Sequence, residues 1–208
     1  MRTTWRWPRD HDEGDLIVSE MDEVIPALVA AVQEQHATGD HYRDDAIRQA
    51  MEHQAQLALR PGPVRVDVIV DPPWSDGQIN SVQVVTGDRP FLVDTVASCL
   101  LRHGWRVEDV RHPIIGVKRD RGTIEAVGMP GRGGCASESW IHIDATAPLG
   151  TDIGQAAEQL RDDLCACLDQ VVCATDDWGA MHEAMLRTAE LVSASSGPAD
   201  DRDSSREL

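Results

Sequence analysis

The sequence has few basic residues, and almost all of them are arginine. Lysine and arginine together number 19 against 36 aspartate and glutamate residues, which gives a formal net charge of −17, and Lys118 is the only lysine. Nucleic acids and anionic membrane surfaces are negatively charged and would repel such a chain. The composition therefore predicts neither a nucleic-acid partner nor a membrane partner.

Long apolar runs and a cysteine framework are also missing. No window approaches the roughly 18 apolar residues of a spanning helix, and the charged start of the chain, residues 1–18, lacks the apolar core of a signal peptide. Five cysteines without framework spacing indicate reduced thiols in a cytoplasmic protein. Cys165 and Cys167 lie two positions apart on a predicted helix, where their side chains diverge, so we expect no metal site.

Aromatic residues are scarce as well. The chain has one phenylalanine, one tyrosine and six tryptophans. Tryptophan must therefore supply most of the aromatic packing. We expect Trp105, Trp140 and Trp178 to anchor the core or an interface.

The first third of the chain has the period of helices. Apolar residues recur at helical spacing through 19–39 and again through 40–59, and the breaker 60-RPGP-63 follows. We predict a mobile N-terminus over residues 1–18 and a helical hairpin over 19–62 as an appendage to the main domain.

From Val64 onward the pattern is that of an α+β domain with an antiparallel sheet. The predicted order is β-β-α-β-β-β-α, with helices on one face of the sheet. The domain is predicted over 63–192 and a disordered tail or interdomain linker over 193–208. The strands are predicted at 64–70, 79–86, 105–118, 122–129 and 139–146, and the helices at 90–103 and 151–172, the latter continuing after a break near 176–179.

The stretch 86-TGDRPFLVDTVASCLLRHG-104 has two interpretations. Asp88 suits an N-cap, Pro90 the first helical position and Gly104 a left-handed C-terminal position, so folding alone would explain it. Alternatively, the loop and the helix N-terminus behind it bind a small carboxylate, to which Arg89 adds a bidentate contact. The predicted apolar stripe of this helix comprises Leu92, Val93, Val96, Leu100 and Leu101.

No catalytic residue is predicted. His103 is interpreted as a last-turn helix residue, His112 before Pro113 as an edge or bulge position, and His142 as a partly exposed sheet residue, because no nucleophile motif accompanies them. The glycine-rich segment 130-PGRGGCA-136 joins two strands and lacks the helix N-terminus that a phosphate fingerprint needs, so it is interpreted as a hairpin tip.

Four stretches together resemble the N-terminal ACT-like region of the large bacterial NAD-specific glutamate dehydrogenases. The resemblance covers residues 40–190 and is specific through the combination of its motifs. The four stretches are 53-HQAQLALRPGPVRVDVIVDP-72, 86-TGDRPFLVDTVASCLLRHGWRVEDVRHPIIGVKRD-120, 137-SESWIHIDAT-146 and 177-DWGAM-181.

The resemblance implies an ACT-like (ferredoxin-like) fold and a non-catalytic regulatory or oligomerisation module. The parent enzymes use NAD in a separate catalytic region, so no cofactor is expected in this chain. The expected partners are the rest of the parent dehydrogenase or other subunits, further copies of the chain in a homo-oligomer, and an amino-acid effector. A purely structural scaffold without ligand is the alternative, and an independent enzyme a third reading.

ACT domains that bind amino acids do so at the loop after the first strand, where a glycine follows the proline. The resemblance therefore implies a ligand site at Thr86, Gly87, Asp88, Arg89 and Phe91, with Phe91 in the place of that glycine. Phe91 either fills the ligand space or points into the core. The usual last ACT strand is missing, and we expect the strand 64–70 to take its place in the sheet.

Overall fold

The computed structural model describes residues 17–18, 21–35, 44–75 and 77–195. These residues contain seven strands and five helices. The chain divides into two compact units, residues 1–171 and 172–208. The elements are β1 (Ile17–Val18), α1 (Met21–Gln35), α2 (Asp44–Ala58), β2 (Val64–Ile69), β3 (Asn80–Gly87), α3 (Leu92–Arg102), β4 (Arg106–Arg111), β5 (Ile114–Asp120), β6 (Thr123–Gly128), β7 (Ala136–Thr146), α4 (Ile153–Asp176) and α5 (Trp178–Ser195).

Both predicted terminal segments lie largely outside the described residues. Of the predicted mobile start, 1–18, only the last two residues are described, and they form β1, which pairs with Val127 and Ala126 of β6. Of the predicted tail, 193–208, the first three residues end α5. The predicted break near 176–179 is confirmed, since α4 ends and α5 begins there.

The sheet is antiparallel throughout, and β7 is its central strand. The order is β1-β6-β5-β7-β3-β2, with β4 also paired to β7. β4 and β5 follow each other along the same edge of β7, because Arg111 lies opposite His142 and Ile114 opposite Ser139 in one continuous register. The predicted strand 105–118 is therefore interrupted at Pro113, which has no N–H to donate. The register shift lies earlier, between Val107 and Asp109.

β2 completes the ACT-like sheet. It pairs with β3 over six residues, from Val64 opposite Thr86 to Ile69 opposite Ser81. This is the edge position that the last strand of an ACT domain would occupy, so the expected substitution by residues 64–70 is confirmed. The α+β, ACT-like fold class is confirmed with it.

Helices cover both faces of the sheet. Val84 and Ile141 pack with α3 and α4, whereas their neighbours Val85 and Trp140 pack with α1 and α2. Consecutive strand residues point to opposite faces, so the two helix pairs lie on opposite sides. The α3–α4 pair matches the predicted single face. The expectation of the hairpin as an appendage is wrong, because Leu28 and the other apolar residues of α1 and α2 form a core with the sheet.

A polar network lies buried beneath α2. The amide of Gln83 donates to the Ala50 carbonyl at 2.9 Å and lies 3.1 Å from His142 Nδ1. His142 Nδ1 is then the acceptor, and the ring carries its proton on Nε2, which lies 2.9 Å from Ser81 Oγ and 3.1 Å from Asp144 Oδ1. The expected partial exposure of His142 is wrong, since it is 5% exposed beneath α2.

This network is structural. Ser81 and Asp144 both face the same ring nitrogen of His142. A nucleophile relay needs the hydroxyl on one ring nitrogen and the carboxylate on the other. Burial is the first cause that lowers the pKa of His142, so the neutral ring is favoured in the folded chain.

The folded chain should lose stability in mild acid. The unfolded chain takes up the His142 proton near the ordinary pKa of 6.5, while the folded chain resists it. The stabilising contribution is therefore complete above that pKa and is lost as the pH falls below it. Thermal melts between about pH 7.5 and 5 should show a falling midpoint. The variant His142→Gln keeps an N–H donor but cannot titrate. Its melting midpoint should therefore fall less steeply with falling pH than that of the wild-type chain.

His182, which is exposed on α5, offers the matched control. His182→Gln should leave the slope unchanged. Burial also lowers the pKa of His112, so part of the slope should remain in His142→Gln. Equal slopes in the wild-type chain and His142→Gln would contradict the assignment.

Candidate ligand-binding loop

The loop before α3 differs from the predicted helix start. α3 begins at Leu92, and the residue at its N-cap is Phe91, with φ 70° and ψ 5°. The predictions of Asp88 as N-cap and Pro90 as first helical residue are wrong. The predicted end is confirmed, since α3 ends at Arg102, His103 is its C-cap, and Gly104 follows with φ 75°.

Asp88 does not cap α3 because Ser139 holds its carboxylate. Ser139 Oγ donates to Asp88 Oδ1 at 2.6 Å, and the backbone N–H of Asp88 donates to the Ser137 carbonyl at 2.9 Å. His112 Nε2 lies 3.0 Å from Ser139 Oγ. The one hydroxyl proton goes to Asp88, so His112 must be the donor to Ser139. His112 therefore holds the hydroxyl in place and does not act as its base.

Glu138, the neighbour of Ser139, makes the matching contact on the other face of the sheet. Arg119 Nε and Nη2 lie 2.6 and 3.0 Å from the two Glu138 carboxylate oxygens. Arg119 Nη2 also donates to the Ala58 carbonyl at the end of α2, at 3.0 Å. Nearby, burial is the first cause that lowers the pKa of Arg65, and the charge of Arg119 acts in the same direction. The negative charge of Glu138 thus offsets the neighbouring positive charges of Arg119 and Arg65.

The five predicted site residues form one end of β3 and the loop that follows. Thr86 is buried, and its hydroxyl has no hydrogen-bond partner within the described part of the chain. Gly87 is half-buried, Asp88 is exposed, and Arg89 Nε lies 3.4 Å from the Gly87 carbonyl. Phe91 is 61% exposed, so it does not point into the core.

The first turn of α3 has no side-chain cap. Its first backbone bond runs from the Thr95 N–H to the Phe91 carbonyl, at 3.0 Å. The N–H groups of residues 92–94 therefore lie at the positive end of the helix dipole without a capping side chain. Such a helix start suits a carboxylate.

Sequence reasoning missed the residues that fix this loop. These are Ser139 and His112, which hold Asp88. They stood in the quoted motifs but were not predicted as site residues, and neither were Glu138 and Arg119, which pair on the other face of the sheet. One signal in the sequence could have indicated them. The motifs come from stretches that are distant in the sequence, and residues of such motifs often contact each other in the folded chain. The predicted apolar stripe of α3 is partly wrong too, because Leu101 is 65% exposed and Cys99 is buried.

Other kinds of site find little support. Among residues 17–18, 21–35, 44–75 and 77–195, no group of three His, Cys, Asp or Glu side chains could hold a metal ion. The glycine-rich segment 130–136 connects β6 and β7, as predicted, and it is exposed except at Cys135. No helix in the described ranges is long and apolar enough to cross a membrane.

The fold and this loop define an ACT-like α+β module. The chain matches the family model of the glutamate dehydrogenase ACT1 domain over residues 27–164, which is more than half of its length. It therefore belongs to the family of glutamate dehydrogenase ACT1 domains. The match includes α2 and most of α1, so the hairpin is part of the domain, and it covers no catalytic domain. A search of curated proteins finds no match.

The backbone of Phe91 can be tested by comparing Phe91→Gly with Phe91→Ala. Both variants remove an exposed ring, but only glycine adopts a φ of 70° without strain. We expect Phe91→Gly to be more stable than Phe91→Ala by about 1 kcal/mol in urea unfolding.

The control pair is Asp94→Gly and Asp94→Ala, at an exposed position in the first turn of α3. Here the order should reverse, with glycine the less stable by about 1 kcal/mol. If Phe91→Ala equals or exceeds Phe91→Gly, the loop is not held in the left-handed conformation.

Proposed function

We propose that this chain is the regulatory, non-catalytic module of an NAD-specific glutamate dehydrogenase and that it binds an amino acid at the loop 86–91. One observation carries the proposal, which is the uncapped start of α3 behind a loop that Ser139 fixes through Asp88. The family supports a role beside a dehydrogenase.

The charges at the loop suit a zwitterion. The N–H groups of the first turn of α3 would receive the ligand carboxylate. Asp88 is exposed and uses Oδ1 for Ser139, so Oδ2 can accept a bond from the ligand ammonium. Arg89 supplies a cation for the carboxylate in addition to these N–H groups. Phe91, exposed beside this start, would cover a bound side chain instead of filling the ligand space.

The wider expectations follow from the same assignment. The parent reaction converts glutamate and NAD into 2-oxoglutarate, ammonium and NADH in a separate catalytic region. This chain would need no cofactor of its own, and its partners would be the rest of the parent dehydrogenase and other subunits in a cytoplasmic homo-oligomer. Alone, it should produce no NADH from glutamate and NAD.

A panel of amino acids tests the ligand. Thermal melts with each amino acid at about 10 mM should show one or a few that raise the midpoint, by roughly 5–10 °C if the Kd is about a hundredfold lower. The matching D-amino acid should have little effect. Asp88→Asn and Arg89→Gln should abolish the shift, because each removes a charge that the ligand needs.

Arg132→Gln, on the exposed connection 130–136, is the matched control and should keep the full shift. No shift with any amino acid at this concentration would overturn the ligand proposal. Isothermal titration with the best amino acid should give a single site for each chain.

The assembly scaffold remains a second candidate because α5 presents an exposed apolar stripe. Trp178, Met181, Met185 and Val192 recur at helical spacing, and each is more than half exposed. Glu183 and Arg187, which pair at 3.3 Å, fall on the other side of the helix. Exposed apolar stripes of this kind often contact another protein.

Sedimentation of the full chain tests this candidate. Self-association at about 100 μM that Met185→Asp weakens at least tenfold would support assembly through α5, since a buried charge disrupts an apolar contact. Met129→Asp, at a similarly exposed methionine outside α5, should have no effect. A wild-type chain that stays monomeric would count against self-assembly through this helix.

A further inference from the structure

α3 and α4 bring two cysteines together on the face of the sheet that they share. Cys99 lies on α3 and is 1% exposed, and Cys167 lies on α4 and is half-buried. Both belong to the apolar core that the two helices form with the sheet. Burial and, less strongly, the neighbouring Cys167 thiol raise the pKa of Cys99.

One arginine lies beside both cysteines. Arg102 Nη2 donates to Cys167 Sγ at 3.1 Å. Cys99 precedes Arg102 by three residues and so lies on the same side of α3, where the guanidinium acts to lower the pKa of the Cys99 thiol against the larger effect of burial. A neighbouring cation is the environment in which a thiol reacts with oxidants.

We propose that Cys99 and Cys167 are a redox-responsive thiol pair, which a hydroperoxide converts into a disulfide between α3 and α4. The pair is distinct from the ligand loop and does not depend on the proposed function. Its reaction is reversible by thiols, as for other protein disulfides.

The reaction takes place in two steps. The Cys167 thiolate, beside Arg102 and nearer to solvent, attacks one peroxide oxygen, breaks the O–O bond and becomes a sulfenic acid, while the other oxygen leaves as water. Cys99 then attacks the sulfenic sulfur and displaces the hydroxyl group, which leaves as a second water with the Cys99 proton. Two thiols and one hydroperoxide thus give one disulfide and two waters, or one water and one alcohol from an alkyl hydroperoxide.

Cys165 and Cys135 have less favourable surroundings. Burial first, and then the carboxylates of Asp169 and Asp162, raise the pKa of the Cys165 thiol. Burial also raises the pKa of Cys135, on the connection between β6 and β7. Burial raises the pKa of Cys99 itself, while its contact with Arg102 acts in the opposite direction. Arg102 therefore distinguishes the Cys99–Cys167 pair from Cys165 and Cys135.

The proposal is tested by treating the reduced full chain with equimolar hydrogen peroxide. Free thiols are blocked with N-ethylmaleimide, and a non-reducing digest is mapped by mass spectrometry. We expect a Cys99–Cys167 linkage, two hydrogens lighter than the thiols, that dithiothreitol reverses. The cross-linked chain should melt roughly 5–10 °C higher, because the bond closes a long loop.

Three variants make the test specific without altering the buried Cys99. Cys167→Ser should lose the linkage, whereas Cys165→Ser, two positions away on α4, should keep it. Arg102→Gln should slow formation of the linkage several-fold while leaving the fold intact, since Arg102 is exposed. A linkage of Cys99 to a cysteine other than Cys167 in the wild-type chain, or oxidation of Cys167 to sulfinic acid without a linkage, would overturn the proposal. An unchanged rate in Arg102→Gln would overturn the role of Arg102.

Discussion

Two adjacent residues of the central strand hold the module together. Glu138 and Ser139 point to opposite faces of β7 and each binds a distant part of the chain, Arg119 for Glu138 and Asp88 with His112 for Ser139. A buried carboxylate without its cation would be strongly destabilising. The pairing of β7 with β3, β4 and β5 therefore has polar as well as apolar support at the end of the sheet where the loop 86–91 lies.

Local patterns predicted the elements well, and contacts between distant residues explain the errors. The valines at alternate positions predicted β2 correctly, because the alternation of a strand depends only on residues that are close together in the sequence. Asp88 also had the local pattern of an N-cap, but its carboxylate is bonded to Ser139, 51 residues away. His142 was expected to be partly exposed because nothing in its own strand shows that α2 will cover it. The five site residues were placed by resemblance, whereas their fixing partners depend on the fold.

The hairpin of α1 and α2 buries polar side chains of the sheet that would otherwise lie in water. An antiparallel sheet with one covered face could leave Gln83, His142 and Asp144 in water, at no cost. With α1 and α2 packed on that face, each polar group needs a partner, and the network from Ala50 to Asp144 supplies them. Directional bonds of this kind favour one register of α2 on the sheet more sharply than apolar contacts do. The family match, which begins within α1, is consistent with the hairpin being intrinsic to the domain.

Phe91 gives the strongest reason to favour a ligand loop over a passive scaffold. A left-handed backbone costs a residue other than glycine about 1 kcal/mol or more. Because the Phe91 ring is 61% exposed, its packing offsets little of that conformational cost. A loop that served only to start α3 would be more stable with glycine there, or with Asp88 as a true cap. The strain is better explained if the loop must keep the first turn of α3 open and place an aromatic ring beside it, which is the geometry that a small zwitterion with a side chain would require.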